Sequence, residues 1–507
     1  MSELAVTTTL GWPLLATLQL LPLLGAALLF WLGERSAAVW IGRAVAVVEL
    51  ALAEFMRRQI DVANPALQLV ERLDPIAYHA AADGLTVLFV LLGALIVVLM
   101  TLYGLVRGFA RPARLMALVL LAEAALMCSL LTMNLLWFAC ASVIELAVAA
   151  YLIGHWSTST VENRILATTR FLQFQGIGLL MLAAGIVVLA WGHADATGRW
   201  SFDLFDLSQT PAQGRFQSVA FFLLFYGLAV RTPLFPLHGW LPHVMHRGMV
   251  SIAPSLLLGV KVGIYGMLRF VLPLTAEAAQ AWQEIIVGFA MVGVFYAALL
   301  AMLQTNLRRL LAFAVVSHTS LIVIGLFTLH PAGIAGAVLM SVNVGLAVTV
   351  MLFMVGFVYR RTHSTDLANL GGLFERIPFI ATCFLIGGLA IVGMPGTPGF
   401  DAAHLVLEAA MDRFGALLTV AAALGNVTAA AFLLWAFQKA FLSPRPQGEG
   451  GGRQEGGQRL ESVQPMEYLL GWLAVIVLLL AGWHFETWLG LIEASTQAMA
   501  LRFGGAV

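Results

Sequence analysis

Residues 228 to 270 read LAVRTPLFPLHGWLPHVMHRGMVSIAPSLLLGVKVGIYGMLRF. An apolar helix runs into Arg231 and meets Pro233 and Pro236. His238 and Trp240 follow, and then a second apolar helix carries Lys261 at its centre. Proline lacks a backbone donor and its ring clashes with the preceding turn, so the first helix is predicted to break here. At membrane depth a broken helix survives only where protein or water satisfies the freed backbone groups. Ionisable side chains at that depth are costly and mark pathways. The stretch therefore predicts a polar seam inside a membrane-embedded helical bundle.

The rest of the chain supports that setting. Its 507 residues are 61% hydrophobic and 11% charged, with mean hydropathy +0.92. That charged fraction is far below the roughly 25% of soluble domains, which indicates an all-α polytopic membrane protein. A net charge of 0 argues against a nucleic-acid surface. Cys128, Cys140 and Cys383 lie in apolar runs without CxxC spacing, so no metal or Fe–S site is expected. No phosphate loop, dinucleotide fingerprint, haem pair or nucleophile triad appears, and no cofactor is expected. No cleavable signal is evident, because the first apolar run is long enough to span and has no positive charge upstream.

Hydropathy predicts 14 spans, near 12–33, 37–54, 83–106, 113–131, 134–155, 165–191, 216–246, 249–273, 279–303, 307–327, 330–359, 375–411, 414–442 and 465–486. Spans 7 and 12 are too long for one straight crossing and contain RTPLFP and GMPGTPGF. The two breaks lie five spans apart. Spans 4–8 and 9–13 then form two five-helix units, each with its broken helix fourth. Five is odd, so the units are inverted relative to each other, an arrangement that points to a transport site. The expected division is 1–106 for spans 1–3, 107–273 and 274–442 for the two halves, 443–464 for a flexible Gly-rich cytoplasmic loop, and 465–507 for the last span and a tail. Residues 201–207 (SFDLFDL) read as a short interfacial piece.

Arginine placement sets the orientation. Arg107, Arg111, Arg114, Arg308, Arg309, Arg360, Arg361 and Arg445 fall in loops after odd-numbered spans. Far fewer basic residues follow even-numbered ones. The positive side is cytoplasmic, so both termini are expected on the outer, periplasmic side of a bacterial inner membrane.

Several residues are equipped for proton chemistry. The only lysines are Lys261 and Lys439; Lys439 sits at a helix end, where snorkelling accounts for it. A buried lysine can lose its proton and an arginine cannot, so Lys261 is the stronger relay. A structural ion pair is the plainer reading. Arg231 either fixes a carboxylate's charge or clamps backbone carbonyls freed by the break. His238, His243 and His246 cluster after the break, and His318 lies in span 10. Histidine titrates near neutral pH and suits a relay, although membrane histidines also serve as plain helix–helix hydrogen bonders. His238 and His243 lack a third ligand, which rejects a metal site. The membrane carboxylates singled out are Glu123, Glu145, Asp401 and Glu408. His404 and Glu408 are four apart and share a helical face, a plausible relay step. Asp401 is equally a helix cap, and Arg170 either pairs with a carboxylate or anchors the membrane edge.

PLFPLHGWLP, LLLGVKVGIYGMLRF, RRLLAFAVVSHTSLIVIGLF and YRRTHSTDLANLGGL resemble the antiporter-type membrane subunits of respiratory complex I, the M type above all. The resemblance covers roughly Asp83 to Leu442, and the Asp83-Gly84 pair fits the start of the family's third helix. Relatives occur in multisubunit sodium/proton antiporters, membrane-bound hydrogenases and inorganic-carbon uptake systems. The resemblance implies a mid-membrane chain of titratable residues joined by water. It also implies partnership with other membrane subunits, protons as the moved ion with Na+ as the alternative, and no redox centre in this chain. Lys261 matches the family's helix-8 lysine and His318 its helix-10 histidine, while Arg231 stands where a lysine is usual. Aligned without gaps, the helix-5 glutamate falls on Val143. Glu145 is about 200° further round and is expected to substitute only through a register shift such as a bulge. The helix-11 histidine falls on Val344, beside Asn343, and the helix-12 ionisable residue falls on Ala403, beside His404. The acid often found after WLP is His243 here.

Three readings follow. In the first, the chain is a proton-translocating subunit of a complex-I-type NADH:quinone oxidoreductase. Lys261 is then the central relay, Arg231 acts with Glu145, His318 links the halves, and His404 with Glu408 forms the exit. In the second, it is an ion-gradient-driven subunit of an antiporter or carbon-uptake assembly. In the third, it is a non-conducting structural subunit, as Val143, Val344 and Ala403 suggest. Glu145 within reach of Arg231 would count against the third.

Overall fold

The computed structural model describes residues 11–210, 214–247, 253–444 and 461–504. Side chains are described for all of these except 214–215 and 253–258. The Gly-rich stretch expected to form a cytoplasmic loop lies mostly outside the described residues.

The chain is a bundle of long apolar helices. The first six spans are single helices: α1 (Leu14–Leu32), α2 (Ser36–Gln59), α3 (Gly84–Arg107), α4 (Pro112–Leu131), α5 (Leu135–His155) and α6 (Val161–Thr197). After a short α7 (Leu204–Gln209), span 7 is built from α8 (Gly214–Arg231) and α9 (Trp240–Arg247). Span 8 is α10 (Ala253–Gly266), a π turn at Met267–Val271, and α11 (Leu272–Leu274). Spans 9 to 11 are α12 (Ala276–Met302), α13 (Leu307–Leu326) and α14 (Pro331–Thr362). A one-turn α15 (Leu373–Arg376) leads to span 12, formed by α16 (Pro378–Val392) and α17 (Pro398–Phe414). Spans 13 and 14 are α18 (Ala416–Phe437) and α19 (Pro465–Trp483), and α20 (Phe485–Ala500) closes the described chain. Among the described residues, 11 helices are long and apolar enough to cross a membrane unaided. The remaining three crossings are the segmented ones. α13 and α14 are the most enclosed, with 94% and 100% of their apolar windows buried, so the core lies around them.

Two features were not foreseen. A two-stranded antiparallel hairpin, β1 (Gln68–Leu73) and β2 (Tyr78–Ala82), stands between α2 and α3. Its Glu71 carboxylate accepts from the Leu15 and Ala16 amides at 2.7 and 2.8 Å, satisfying free donors at the start of α1. His79 in β2 meets Asp203, the N-cap of α7, at 2.5 Å, so the interfacial piece expected near 201–207 is tied to the hairpin. The expected tail is also helical. α20 buries Leu491, Ile492 and Met499 and exposes Glu486, Glu493 and Gln497, an amphipathic pattern too polar to read as a span.

That helix explains Asp83-Gly84. Asp83 caps α3 by accepting from the Thr86 amide at 2.9 Å and pairs with buried Arg269 at 2.6 Å. A Cβ on Gly84 would stand 1.7 Å from the Leu491 carbonyl oxygen, so only glycine lets α20 dock. At the opposite end, Arg361 at the close of α14 pairs with Glu467 of α19 at 2.5 Å, both side chains being 0% exposed. Breaking a buried pair strands a charge. Glu467→Ala is therefore expected to cost about 3–5 kcal/mol, read as a lowered thermal midpoint in detergent. An unchanged midpoint would show that the bridge does not anchor α19.

Candidate functional site at the two helix breaks

α8 stops at Arg231 because Pro233 and Pro236 cannot continue it. Its terminal carbonyls are met by protein. The Thr232 and Leu234 amides donate back to Leu228 and Ala229 at 2.8 and 3.2 Å, and the Trp240 indole donates to the Val230 carbonyl at 2.8 Å. The tryptophan of HGWLP is thus a backbone clamp, which leaves Arg231 free for another partner.

That partner is Glu145. Its carboxylate forms an ion pair with the Arg231 guanidinium, with 12% and 10% of the two side chains exposed. Gly259 of α10 makes the room, since a Cβ there would lie 2.5 Å from Glu145 Oε1. A cavity of about 40 Å³, lined by Ala122, Ser142, Gln175 and Gly259 among others, surrounds the pair. A single water needs roughly 10–15 Å³ by this measure, so there is space for about three.

The bulge expected in span 5 is not there. α5 is continuous α-helix, Glu145 faces inward, and Val143 is 50% exposed on the outer surface. The face carrying Ser142, Glu145 and Ala149 is the one that lines the cavity. Position 143 cannot reach Arg231 in this packing, and no register shift is needed for Glu145 to do so.

Lys261 is two residues beyond Gly259, about 200° round α10, and points away from the pair. It is 4% exposed, and its Cε lies where a Cβ on Gly345 of α14 would be 3.3 Å away. Among the described residues it has no ion pair. It meets α14 within two residues of Val344 and Asn343.

The second break mirrors this economy. α16 ends at Gly393 and the chain turns through Gly396, both at φ +87°, before Pro398 starts α17. The freed carbonyls of Ala390 and Val392 accept from Asn343 of α14 and Asn426 of α18 at 2.9 and 2.7 Å. Gly399 permits the approach, because a Cβ there would lie 2.5 Å from Asn343 Nδ2. His318 of α13, 2% exposed, sits beside Asn426 and the Ile391 carbonyl. Its Nδ1 lies 2.9 Å from the Ala314 carbonyl, and its Nε2 makes no well-formed hydrogen bond among the described residues. Asn426 is missed by sequence reasoning alone; an asparagine inside an apolar span, at the level of a neighbouring break, is the signal that could find it.

The other sequence candidates distribute as follows. His238 is 7% exposed and packs among Phe235, Tyr296 and Phe313, with ring centroids 5.4–6.2 Å away. It therefore lies between span 7 and spans 9 and 10. His243 and His246 are only half-buried. Arg170 is exposed, in keeping with an edge anchor, and Lys439 is exposed as well. Asp401 lies in the first turn of α17, but no side chain caps that helix. His404 and Glu408, expected at the exit, lie on α17. The two do share a face, but it is the exposed face of α17, and the inward stripe is Ala402, Ala403, Val406, Ala409 and Ala410. Four-residue spacing fixes a common face without saying which way it points. Glu123 is fully buried but lies off the Glu145–Arg231 cavity, which its neighbour Ala122 lines.

Residues 129–429, which hold both breaks, match the family described as NADH:quinone oxidoreductase/Mrp antiporter, TM. The chain belongs to this family. NADH-quinone oxidoreductase subunit M of Escherichia coli K12 is 31% identical over 341 residues, covering 66% of this chain and 65% of that protein. The match thus spans just under two thirds of that relative's length. Subunit M of Mycobacterium tuberculosis CDC 1551 is 29% identical over 507 residues and 90% of each chain. A chain of respiratory complex I from Thermus thermophilus, solved with bound NADH, superposes with TM-score 0.83 at 28% identity, covering 97% of this chain and 100% of that one. A chain of the Mrp complex from Dietzia sp. shares the fold, with TM-score 0.84 at 18% identity, covering 96% and 98%. This family member is a multi-pass, all-α membrane protein.

Proposed function

We propose that the chain is a proton-translocating membrane subunit of a complex-I-type NADH:quinone oxidoreductase. The observation that carries this reading is the Glu145–Arg231 pair at the span-7 break, beside a cavity with room for water. Arg231 keeps its charge, so the mobile proton belongs to Glu145. Protonating Glu145 dissolves the ion pair and leaves an uncompensated guanidinium near the start of the Lys261 segment. That field favours release of the Lys261 proton away from Arg231, toward α14, the span-12 break and His318. Asn343 and Asn426 supply polar side chains along that second step, where the family's ionisable groups are replaced by Val344 and Ala403. Electrons and quinone are assigned to partner subunits, as the family resemblance implies.

The non-conducting alternative is disfavoured because Glu145 does reach Arg231. With His404 and Glu408 on the outer face, a neighbouring membrane subunit completes the exit. Two inverted five-helix halves, a bacterial inner membrane and outward termini complete the picture, with protons as the ion. Arg107, Arg111, Arg114, Arg308, Arg360 and Arg361 lie at helix ends on the side assigned to the cytoplasm.

Gly259→Val tests the reading. The added methyl groups occupy the space of the Glu145 carboxylate and the surrounding cavity. Glu145 is a flexible end that can move aside, so the complex is expected to assemble. NADH-driven proton uptake in inverted vesicles should fall by roughly tenfold or more. Wild-type uptake by an assembled Gly259→Val complex would overturn the assignment.

A further inference from the structure

Glu49 belongs neither to the seam nor to the residues the sequence brought forward. The buried stripe of α2 is Ala38, Gly42, Ala46, Glu49, Ala53 and Met56. Glu49 is its only ionisable member. A Cβ on Gly42 would stand 2.4 Å from Met116 Cγ, so α2 and α4 are in contact at that level. Both are even-numbered spans and run in the same direction. Seven residues further along each helix, roughly 10 Å deeper, come Glu49 and Glu123. Helix register therefore sets the two carboxyls at the same depth, near the middle of their spans.

Both residues are 0% exposed. None of their four carboxyl oxygens has a hydrogen-bond partner among the described residues. The two side chains interact electrostatically with each other, and neither forms an ion pair with a cation among the described residues. The other titratable groups on these and the adjoining helices are engaged or distant. Arg43 stacks over Trp40 at 4.6 Å, Glu54 pairs with Arg57 and Arg58, and Glu145 pairs with Arg231. Lys261 packs on Gly345, Cys128 lies beyond the next turn of α4, and Arg107, Arg114 and Tyr103 of α3 and α4 lie toward the helix ends. Packing alone does not call for two acids here, because alanine serves at the neighbouring stripe positions. Two ionised carboxylates without a cation are not tolerated in such a place, and buried polar atoms without partners ask for a ligand.

We propose that Glu49 and Glu123 form a proton-holding carboxyl pair at mid-membrane, separate from the Glu145–Arg231–Lys261–His318 line. The ligand is the proton itself. Ala122, adjacent to Glu123, lines the Glu145–Arg231 cavity, so α4 stands between the pair and the seam. The inference does not rest on the transport reading, because its readout is the protonation of the pair.

Infrared spectroscopy of the assembled wild-type complex in H2O and D2O tests it. At neutral pH a deuterium-sensitive carboxylic-acid C=O band is expected that is lost in the Glu49→Gln/Glu123→Gln double variant. Each single variant should remove part of the band and shift what remains, since the surviving acid has a changed neighbour. Superimposable wild-type and double-variant spectra, or single variants whose effects merely add, would overturn the pair. If the glutamine variants do not assemble, Glu49→Asp and Glu123→Asp keep the acid and are expected to move the band frequency. An unmoved band in both would overturn the proposal equally.

Discussion

Glu145→Gln is expected to abolish proton uptake and also to weaken the protein by about 3–5 kcal/mol. Two separate losses follow from one atom exchange. The amide cannot take up and release a proton, which ends the exchange at the cavity. It also cannot neutralise Arg231, whose side chain is 10% exposed and held at the break, so a guanidinium is left buried without a counter-charge. Arg231→Gln alone strands Glu145 in the same way, but a carboxylate can protonate and thereby reduce its own cost. Loss of stability is thus expected to be smaller for Arg231→Gln than for Glu145→Gln. The double variant should recover part of the stability and none of the transport. Thermal midpoints of the purified complex, set beside vesicle uptake, measure both. The same experiment separates positions 143 and 145. Val143→Glu added to Glu145→Val restores the gapless family register but places the acid on a half-exposed face, and no rescue is expected. Rescue would mean that α5 turns in the membrane and that the inward face described above is wrong.

That contrast also marks how far sequence reasoning reaches. Both breaks were legible because proline and glycine act through their own backbone, with no knowledge of neighbours. Lys261 and His318 were legible because an ionisable group deep in an apolar span is costly wherever it points. Direction was not legible. His404 and Glu408 share a face by spacing, yet α17 turns that face outward and packs alanines inward. Gapless alignment set Val143 where a carboxylate is usual, although helix rotation brings Glu145 to Arg231 without any bulge. Glu49 is inconspicuous in the sequence because α2 reads as an ordinary span whose basic end draws attention. Only the Gly42–Met116 contact sets its depth against Glu123. The asparagines that close the span-12 break were hidden for a related reason. Asn343 and Asn426 are distant in sequence and converge only through the packing of α14, α16 and α18. Local chemistry is written in the chain, whereas facing is a property of the bundle.

Lys261→Met is expected to have the opposite stability sign with the same loss of transport. Lys261 is 4% exposed and lies against Gly345 and the helix core, with no ion pair among the described residues. A polar amine held in apolar surroundings without a counter-charge is a net cost to the fold. Methionine has nearly the same length and volume, so it fills the space without a cavity and removes that cost. A gain of about 1–3 kcal/mol is the expected scale for removing an uncompensated buried polar group. Lys261→Ala deletes the same charge but opens a void beside Gly345, so its stability should fall below that of Lys261→Met by about 2–5 kcal/mol. Proton uptake should be lost in both, because neither side chain can accept a proton from the Arg231 side or pass one toward His318. Lys261→Arg is the stringent control, since it keeps a charge but cannot exchange a proton, and it too should fail to pump. A residue that lowers stability when present and removes activity when absent is kept for function. If Lys261→Met pumped normally, or if it melted well below the wild type, Lys261 would be a packing residue and the relay would have to run elsewhere. Glu145→Gln destabilising and Lys261→Met stabilising, with transport lost in each, is the pattern that a paired acid and an unpaired base produce on one proton path.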